Sequence, residues 1–255
     1  MLYRALVPLL LLPIVAQASP VQASYDAYAA GLNVVVMDTS FDVQPDRYRV
    51  HIGYRTAGTF GVFLRAQQDT TVEGGFVGGR AAPQHFLSTG VLRGEQRLTR
   101  IDYAGGQPQI RQLVPGVEQE REPVPPEQQR NTIDTLSAMA QLMRQVNETG
   151  RCEGRVVTFD GRRLAELSAR TVSEDMLPPS RLTSYSGRAL HCDFDGRQLG
   201  GFKLDEDRDA LQRPQHGSAW FASVVPGGPK IPVRISFRTR WFGDATMYLV
   251  DRAAR

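Results

Sequence analysis

Two cysteines, Cys152 and Cys192, are the residues of this chain whose types and spacing most directly suggest a chemistry. In an exported protein a small, even number of thiols is typical of a disulfide, and this pair would close a loop of about 40 residues. Zinc is the rival interpretation, because His191 precedes Cys192 and both thiols are possible ligands. The spacing matches no zinc signature, however, and adjacent strand residues point to opposite faces. We therefore predict a disulfide, no metal and no other cofactor.

The sequence offers one candidate catalytic pair. His191 and Asp193 stand two residues apart on a predicted strand, so they share a face. A hydrolase would also need a nucleophile and an oxyanion site, and the sequence identifies neither. The glycine-rich residues 74–79 carry no lysine, and the acidic residues 205–209 lack the glycine of a calcium loop. We predict a protein that is not an enzyme, with a hydrolase that uses an unrecognised site as the less favoured alternative.

The beginning of the sequence predicts where the protein is located. Arg4 precedes an apolar run over residues 5–15, and Ala16-Gln17-Ala18 forms a small-residue cleavage site. This order is typical of a secretory signal peptide over residues 1–18, and the run is short for a membrane-spanning helix, which needs about 20 residues. A membrane anchor or a buried helix is the alternative. We expect cleavage after Ala18, a periplasmic location and no transmembrane segment in the remaining chain.

The formal net charge of +3 at pH 7 argues against nucleic acid as a partner. Most of the chain alternates apolar and polar residues with the period of two that indicates strands. Within 47–54, for example, Tyr48, Val50, Ile52 and Tyr54 alternate with polar residues or glycine. The candidate strands lie at 32–37, 47–54, 61–66, 85–88, 97–103, 155–159, 164–171, 189–194, 219–225, 232–240 and 245–250. Asp160-Gly161 and Asp195-Gly196 are the strongest hairpin signals.

Two segments depart from the strand pattern. Residues 107–129 contain five prolines, together with Glu118, Glu120 and Glu122, which predicts a long surface connection. Residues 131–147 then carry an apolar stripe at helical spacing, with Asn131 as the expected N-cap and Gly150 just beyond the end. The fold prediction is a mainly β (α+β) protein. It consists of one β-rich domain over residues 19–255, a curved antiparallel half-barrel around one principal amphipathic helix. Two domains that divide at the proline-rich segment are the alternative.

A family resemblance rests on the segment from Gly150 to Arg163, with Cys152 and Phe159-Asp160-Gly161, and on the later His191-Cys192. The opening Tyr25-x-x-Tyr28-x-x-Gly31 adds to it. The chain resembles the bacterial envelope family catalogued as domain of unknown function 3108, over most of residues 25–250. That family implies an exported protein of Gram-negative bacteria and supplies no activity. The layout is similar to half-barrel lipoprotein and lipid carriers, a likeness of fold alone.

The leading functional hypothesis is binding or carriage of an apolar ligand, such as a lipid or an acyl chain, inside the half-barrel. Methionines on the helix stripe suit adaptable apolar surfaces, although they also fill ordinary cores. An envelope scaffold that binds another protein is the alternative. The predicted lining combines the helix stripe with inward strand residues: Leu136, Met139, Ala140, Met143, Val50, Ile52, Val233, Ile235 and Phe237.

Overall fold

A computed structural model describes residues 20–239 and 243–251 of the chain, and the predicted signal peptide at 1–18 lies outside these residues. Within them, thirteen strands form one sheet in which every neighbouring pair is antiparallel. The strands are β1 (Val21–Ala29), β2 (Leu32–Val43), β3 (Arg47–Thr56), β4 (Ala66–Val77), β5 (Arg80–Leu92), β6 (Glu95–Ala104), β7 (Gln107–Val114), β8 (Gly154–Phe159), β9 (Leu164–Leu177), β10 (Gly187–Gly200), β11 (Gln215–Ser223), β12 (Lys230–Thr239) and β13 (Gly243–Val250).

The strand order is β7-β6-β5-β4-β3-β2-β1-β13-β12-β11-β10-β9-β8. The first described strand, β1, lies near the middle of the sheet, and the chain meanders from it to the edge strand β7. It then crosses to the other edge, β8, and meanders back until β13 pairs with β1. The sheet therefore has an N-terminal half (β1–β7) and a C-terminal half (β8–β13), and it is open rather than a closed barrel. The mainly β prediction is confirmed.

The crossing between the two halves contains the principal helix, α3 (Thr135–Thr149). The other helices are short: α1 (Gly58–Phe63), α2 (Pro126–Gln129), α4 (Arg208–Gln212) and a 3₁₀ turn (Val117–Gln119). Among the described residues, no helix is long and apolar enough to cross a membrane.

The helix prediction at 131–147 was right in kind but wrong at its start. Asp134 is the N-cap, because its side chain accepts a hydrogen bond from the Ser137 N–H at 2.9 Å. Asn131 instead adopts a positive φ of 59° three residues earlier, a conformation that asparagine tolerates well. Gly150 ends the helix in the left-handed conformation, as expected.

Three other local predictions also differ from the structure. Residues 61–66, predicted as a strand, belong mostly to α1 and the turn after it. Asp195-Gly196 lies inside β10, because both residues pair with β9 on one side and β11 on the other. The predicted connection at 107–129 begins as strand β7, where Pro108 is tolerated because an edge strand leaves one row of its N–H groups unpaired.

The sheet curves until its two edges approach each other. α3 contacts strands of both halves, including β2 to β5, β8 and β12. A Cβ on Gly161, in the β8–β9 turn, would stand 2.8 Å from Thr99 of β6, so this turn touches the far half of the sheet. The neighbouring Arg162 donates hydrogen bonds to the carbonyl oxygens of Val114 and Pro115, at 2.8 and 2.9 Å, just where β7 ends.

An ion-pair cluster reinforces the same junction, and we call it the edge clasp: Arg97, Glu120 and Arg162. Arg97 of β6 donates two hydrogen bonds to the Glu120 carboxylate, at 2.6 and 2.5 Å. Arg162 of the β8–β9 turn places a guanidinium nitrogen 3.5 Å from the same carboxylate. These hydrogen bonds with Arg97 lower the pKa of Glu120, against a smaller effect of burial. The clasp therefore connects the two edges of an open sheet.

Candidate functional site

The two faces of α3 are packed very differently. Ala140, Met143 and Val146 lie on one face and are fully buried within the main core. Ala138, Met139 and Leu142 lie on the other face and are only partly buried. The second face borders an open groove, so the helix contributes to the core and to a candidate binding site at once.

We call this feature the α3 groove, a cavity of about 460 Å³ between α3 and strands β8–β12 of the C-terminal half. Its volume lies within the range of about 300–1,000 Å³ that is typical of small-molecule sites. Most of the side chains that line its walls are apolar: Ala138, Met139, Leu142, Val156, Leu167, Ala169, Phe194, Ala219, Phe221, Pro232 and Ile235. The arrangement can hold an apolar group, because most of its exposed surface is hydrocarbon.

One wall of the groove depends on a glycine in the facing strand. A Cβ on Gly217 would lie 2.3 Å from the ring of Phe194, a distance that real side chains essentially never reach. Gly217 pairs directly with Phe194 across β10 and β11. Its missing side chain therefore lets the Phe194 ring lie close against β11, where it lines the groove.

Each charged side chain that lines the groove has an ion-pair partner, and Asp195 pairs with His216. Arg144 of α3 donates to Glu148 at 2.6 Å, and Arg155 of β8 lies 3.5 Å from Glu166. Glu153 also pairs with Arg151, at 2.9 Å. The mouth therefore presents balanced charge, which favours an uncharged or outward-facing head group over a buried anion.

The structure separates the residues that the sequence predicted as a single lining. Met139 and Ile235 line the α3 groove. Ala140, Met143, Val50 and Val233 are fully buried in the core, and Leu136 and Ile52 pack against that core. Phe237 is 36% exposed near the end of β12 and does not border the groove. Because Ala140 has no exposed surface, a larger side chain there would overpack the core rather than block the groove.

Sequence reasoning missed the groove residues of β8 to β11, above all Phe194, Leu167 and Ala169. Strand alternation places Phe194 and Cys192 on one face of β10, which was the available signal. It could not show which strands face the helix, because that depends on how the crossing places α3 against β8–β12.

A buried polar cluster holds the start of α3 against the N-terminal half. The Tyr48 hydroxyl donates to Ser137 Oγ at 2.7 Å, and Ser137 Oγ donates to the Asp134 carboxylate at 2.5 Å. Burial raises the pKa of Asp134, while its hydrogen bonds with Ser137 oppose that rise. A Cβ on Gly74 would lie 2.5 Å from the Tyr48 hydroxyl, so glycine makes room for this anchor.

Hydrogen-bonded polar side chains occupy another part of the N-terminal half. The Tyr54 hydroxyl donates to Gln68 at 3.0 Å, and Gln68 donates to Ser88 at 2.7 Å. Thr70 and Ser88, both buried, are hydrogen-bonded at 2.9 Å. These groups satisfy one another, which is the condition for burying polar side chains without a large cost.

The candidate catalytic pair, His191 and Asp193, belongs to a stacked cluster outside the groove. The His191 ring stacks on Trp220 with centroids 4.5 Å apart, and its Nδ1 lies 3.1 Å from Asp175. Its Nε2 lies 3.4 Å from Asp193, and Ser173 Oγ is 3.5 Å from Nδ1. The Ser173 hydroxyl, however, donates to Asp175 at 2.6 Å.

Hydrogen bonds from Ser173 and Trp220, with burial opposing them, lower the pKa of Asp175 in this cluster. The serine hydroxyl is therefore directed to a carboxylate rather than to the imidazole, unlike the nucleophile of a catalytic triad. Within the described part of the chain, no group of three or more His, Cys, Asp or Glu side chains is arranged so that it could hold a metal ion.

The predicted disulfide is present. Cys152 and Cys192 are bonded with their Cα atoms 6.1 Å apart, within the usual range. The bond joins the segment after α3 to β10, which also contributes Phe194 to the groove. Because both sulfur atoms are in the disulfide, neither cysteine offers the thiolate that a Cys152-His191-Cys192 metal site would need.

The fold is that of an open, barrel-like antiparallel sheet around a helix. Its overall path is similar to the crystal structure of a "Beta-barrel-like Protein of Domain of Unknown Function DUF1849 from Brucella abortus". The TM-score is 0.55 at 14% sequence identity, and the match covers 92% of this chain and 97% of that chain. At this identity the likeness concerns the fold alone. No curated protein matches the chain in sequence.

The protein belongs to the family described as "Protein of unknown function (DUF3108)", whose model matches residues 24–250. The resemblance read from the sequence is thereby confirmed. The family and the structural neighbour supply no activity, and neither of them indicates catalysis.

Proposed function

We propose that this protein is an exported, periplasmic, non-enzymatic binding protein that carries an apolar ligand, a lipid or an acyl chain, in the α3 groove. The observation that carries the proposal is the groove itself, with partly buried apolar walls on α3 and on the C-terminal half of the sheet. The disulfide supports an oxidising compartment, since such bonds are rare in the cytosol.

The energetics favour a hydrocarbon chain as the ligand. Each methylene moved from water into an apolar site gains about 0.8 kcal/mol. Ordering the chain and bringing it to the protein offset part of that gain. A groove of about 460 Å³ therefore supports binding through several methylenes, and the balanced charges at its mouth leave the head group in solvent.

Ala138→Trp is the variant that tests this proposal. Ala138 lies on α3, borders the groove and is partly buried, so an indole there fills the groove without entering the packed core. Ala104→Trp is the matched control, because Ala104 is exposed at the end of β6 and does not line the groove. The probe is cis-parinaric acid, a fatty acid whose fluorescence rises in apolar surroundings.

We expect the wild-type protein and Ala104→Trp to bind the probe at micromolar concentration. Ala138→Trp should bind it at least about tenfold more weakly with an unchanged melting temperature. If the wild-type protein binds neither the probe nor a co-purified lipid, or if Ala138→Trp binds as well as wild type, carriage in this groove is wrong. A role as an envelope scaffold would then take its place.

A further inference from the structure

The connection between β3 and β4 carries large apolar side chains into solvent. Within α1, Val62 is 80% exposed and Phe63 is 86% exposed, and the helix buries none of its residues. Leu32, at the start of the strand β2 that α1 contacts, is 56% exposed. We call the set Leu32, Arg55, Val62, Phe63, Arg65 and Arg93 the α1 tip.

The backbone of the tip has a defined conformation. The Ala57 N–H donates to the Val34 carbonyl at 3.0 Å, which joins the tip to β2. The Gly61 N–H donates to the Ala57 carbonyl at 3.0 Å, and Gly58 adopts a positive φ of 54° that favours glycine. The exposed side chains are therefore presented by hydrogen-bonded backbone, and two adjacent large apolar residues project where no core needs them.

The charged residues of the tip are all arginines. Arg55, Arg65 and Arg93 are exposed, and among the described residues none of them has a carboxylate within ion-pair distance. Arg93 is adjacent to Arg65, because its N–H donates to the Arg65 carbonyl at 2.9 Å. Residues 56–64 contain no acidic residue. Glu95, the nearest acid along the chain from Arg93, lies 3.7 Å from Arg97.

We propose that the α1 tip docks onto an anionic lipid surface. Val62 and Phe63 insert at the boundary between head groups and acyl chains, and the arginines pair with lipid phosphates. The combination of projecting apolar side chains and unpaired arginines matches such a surface in both hydrophobicity and charge. The inference rests on the tip and not on the groove, so it holds whether or not the α3 groove carries a ligand.

A second exposed apolar pair supplies a matched control. Val224 and Val225 are 37% and 52% exposed in the β11–β12 connection, at the opposite end of the sheet from α1. Residues 223–229 contain no arginine or lysine. This pair therefore resembles the tip in exposed hydrophobicity and differs from it in charge.

The test is sedimentation of the full protein with vesicles of phosphatidylcholine alone, or with about 30% phosphatidylglycerol. We expect binding to the anionic vesicles and little to the neutral ones. Val62→Ser with Phe63→Ser should reduce the partition coefficient at least about tenfold, and Val224→Ser with Val225→Ser should leave it unchanged. Arg65→Ser with Arg93→Ser should also weaken binding, as should high salt.

Each of the opposite results overturns the proposal. The proposal is wrong if the wild-type protein does not bind anionic vesicles or binds neutral vesicles equally well. It is also wrong if the Val62/Phe63 variant or the Arg65/Arg93 variant binds anionic vesicles as well as wild type does. All the substituted side chains are exposed, so far-ultraviolet circular dichroism should match the wild-type spectrum. Probe binding in the α3 groove, measured on the same variants, should stay unchanged, which separates failure of docking from failure of carriage.

Discussion

The helix α3 has a packed face and an open face. On the packed face, Ala140, Met143 and Val146 are fully buried in a main core to which both halves of the sheet contribute. On the open face, Ala138, Met139 and Leu142 are only partly buried, and the opposite wall of the groove combines larger residues with small ones: Gly154, Ser168, Ala169 and Ala219. Small side chains opposite a helix leave volume unfilled, so one element can anchor a fold and leave room for a ligand.

Truncating the two α3 methionines should change the free energy of unfolding by very different amounts. Met143 is 1% exposed on the packed face, so Met143→Ala removes core contacts and leaves a cavity. We expect it to lower the free energy of unfolding by about 2–5 kcal/mol. Met139→Ala, on the groove face, should cost under about 1.5 kcal/mol and weaken probe binding instead. Urea titration of both variants measures this, and equal losses would show that the two faces are equally packed.

Removing the disulfide should affect the C-terminal half more than the N-terminal half. The bond closes a 40-residue separation between the end of α3 and β10. Replacing both Cys152 and Cys192 with alanine should cost about 2–4 kcal/mol, because the unfolded chain gains conformational freedom and the folded chain loses its covalent tie between the segment after α3 and β10.

Amide hydrogen exchange locates that effect. Faster exchange in β8–β10 than in β3–β5 is the expected pattern, with the reduced wild-type protein as the control. Uniform acceleration over the whole sheet would contradict this local effect of the disulfide.

The edge clasp gives the smallest predicted effect, and it is pH-dependent. The pKa of Glu120 is held below its ordinary value of 4.5 in the folded protein. The unfolded chain therefore takes up a proton first as the pH falls. The Arg97–Glu120 pair stabilises the fold above about pH 4.5, and that contribution is lost as the pH falls through the folded-state pKa.

Glu120→Gln is the variant that isolates this contribution. It should cost on the order of 1 kcal/mol at neutral pH, since the pair is partly exposed, and little in strong acid. Melting temperatures of both proteins between about pH 6 and pH 3 should converge at the acid end. Curves that stay parallel would mean that Glu120 does not contribute in its ionised form.

The strands and the main helix were predictable because local pattern agrees with tertiary burial there. Val50 alternates with polar neighbours and is fully buried, and the α3 stripe does contain the buried Ala140 and Met143. A prediction fails where pairing with neighbouring strands overrides a local sequence signal. Asp195-Gly196 is a strong turn signal, yet strands on both sides of β10 hold it extended.

The groove was predictable only in its helix and in Ile235. Periodicity identified the stripe but not which side of it is packed in the core, so Met139 and Met143 looked equivalent and are not. Phe194 and Gly217 form one wall through a pairing between separate strands. Such a pairing follows from the register of the whole sheet, which no short window of sequence contains.

The position of β1 in the middle of the sheet has a consequence for the order of folding. β1 pairs with β2 soon after it in the sequence, but its other neighbour is β13, at residues 243–250. One side of β1 therefore stays unpaired until nearly the whole chain is present, and a contact of such long sequence separation forms slowly. A partly synthesised or truncated chain would expose the backbone of β1 as an unpaired edge, the kind of surface through which folding intermediates aggregate.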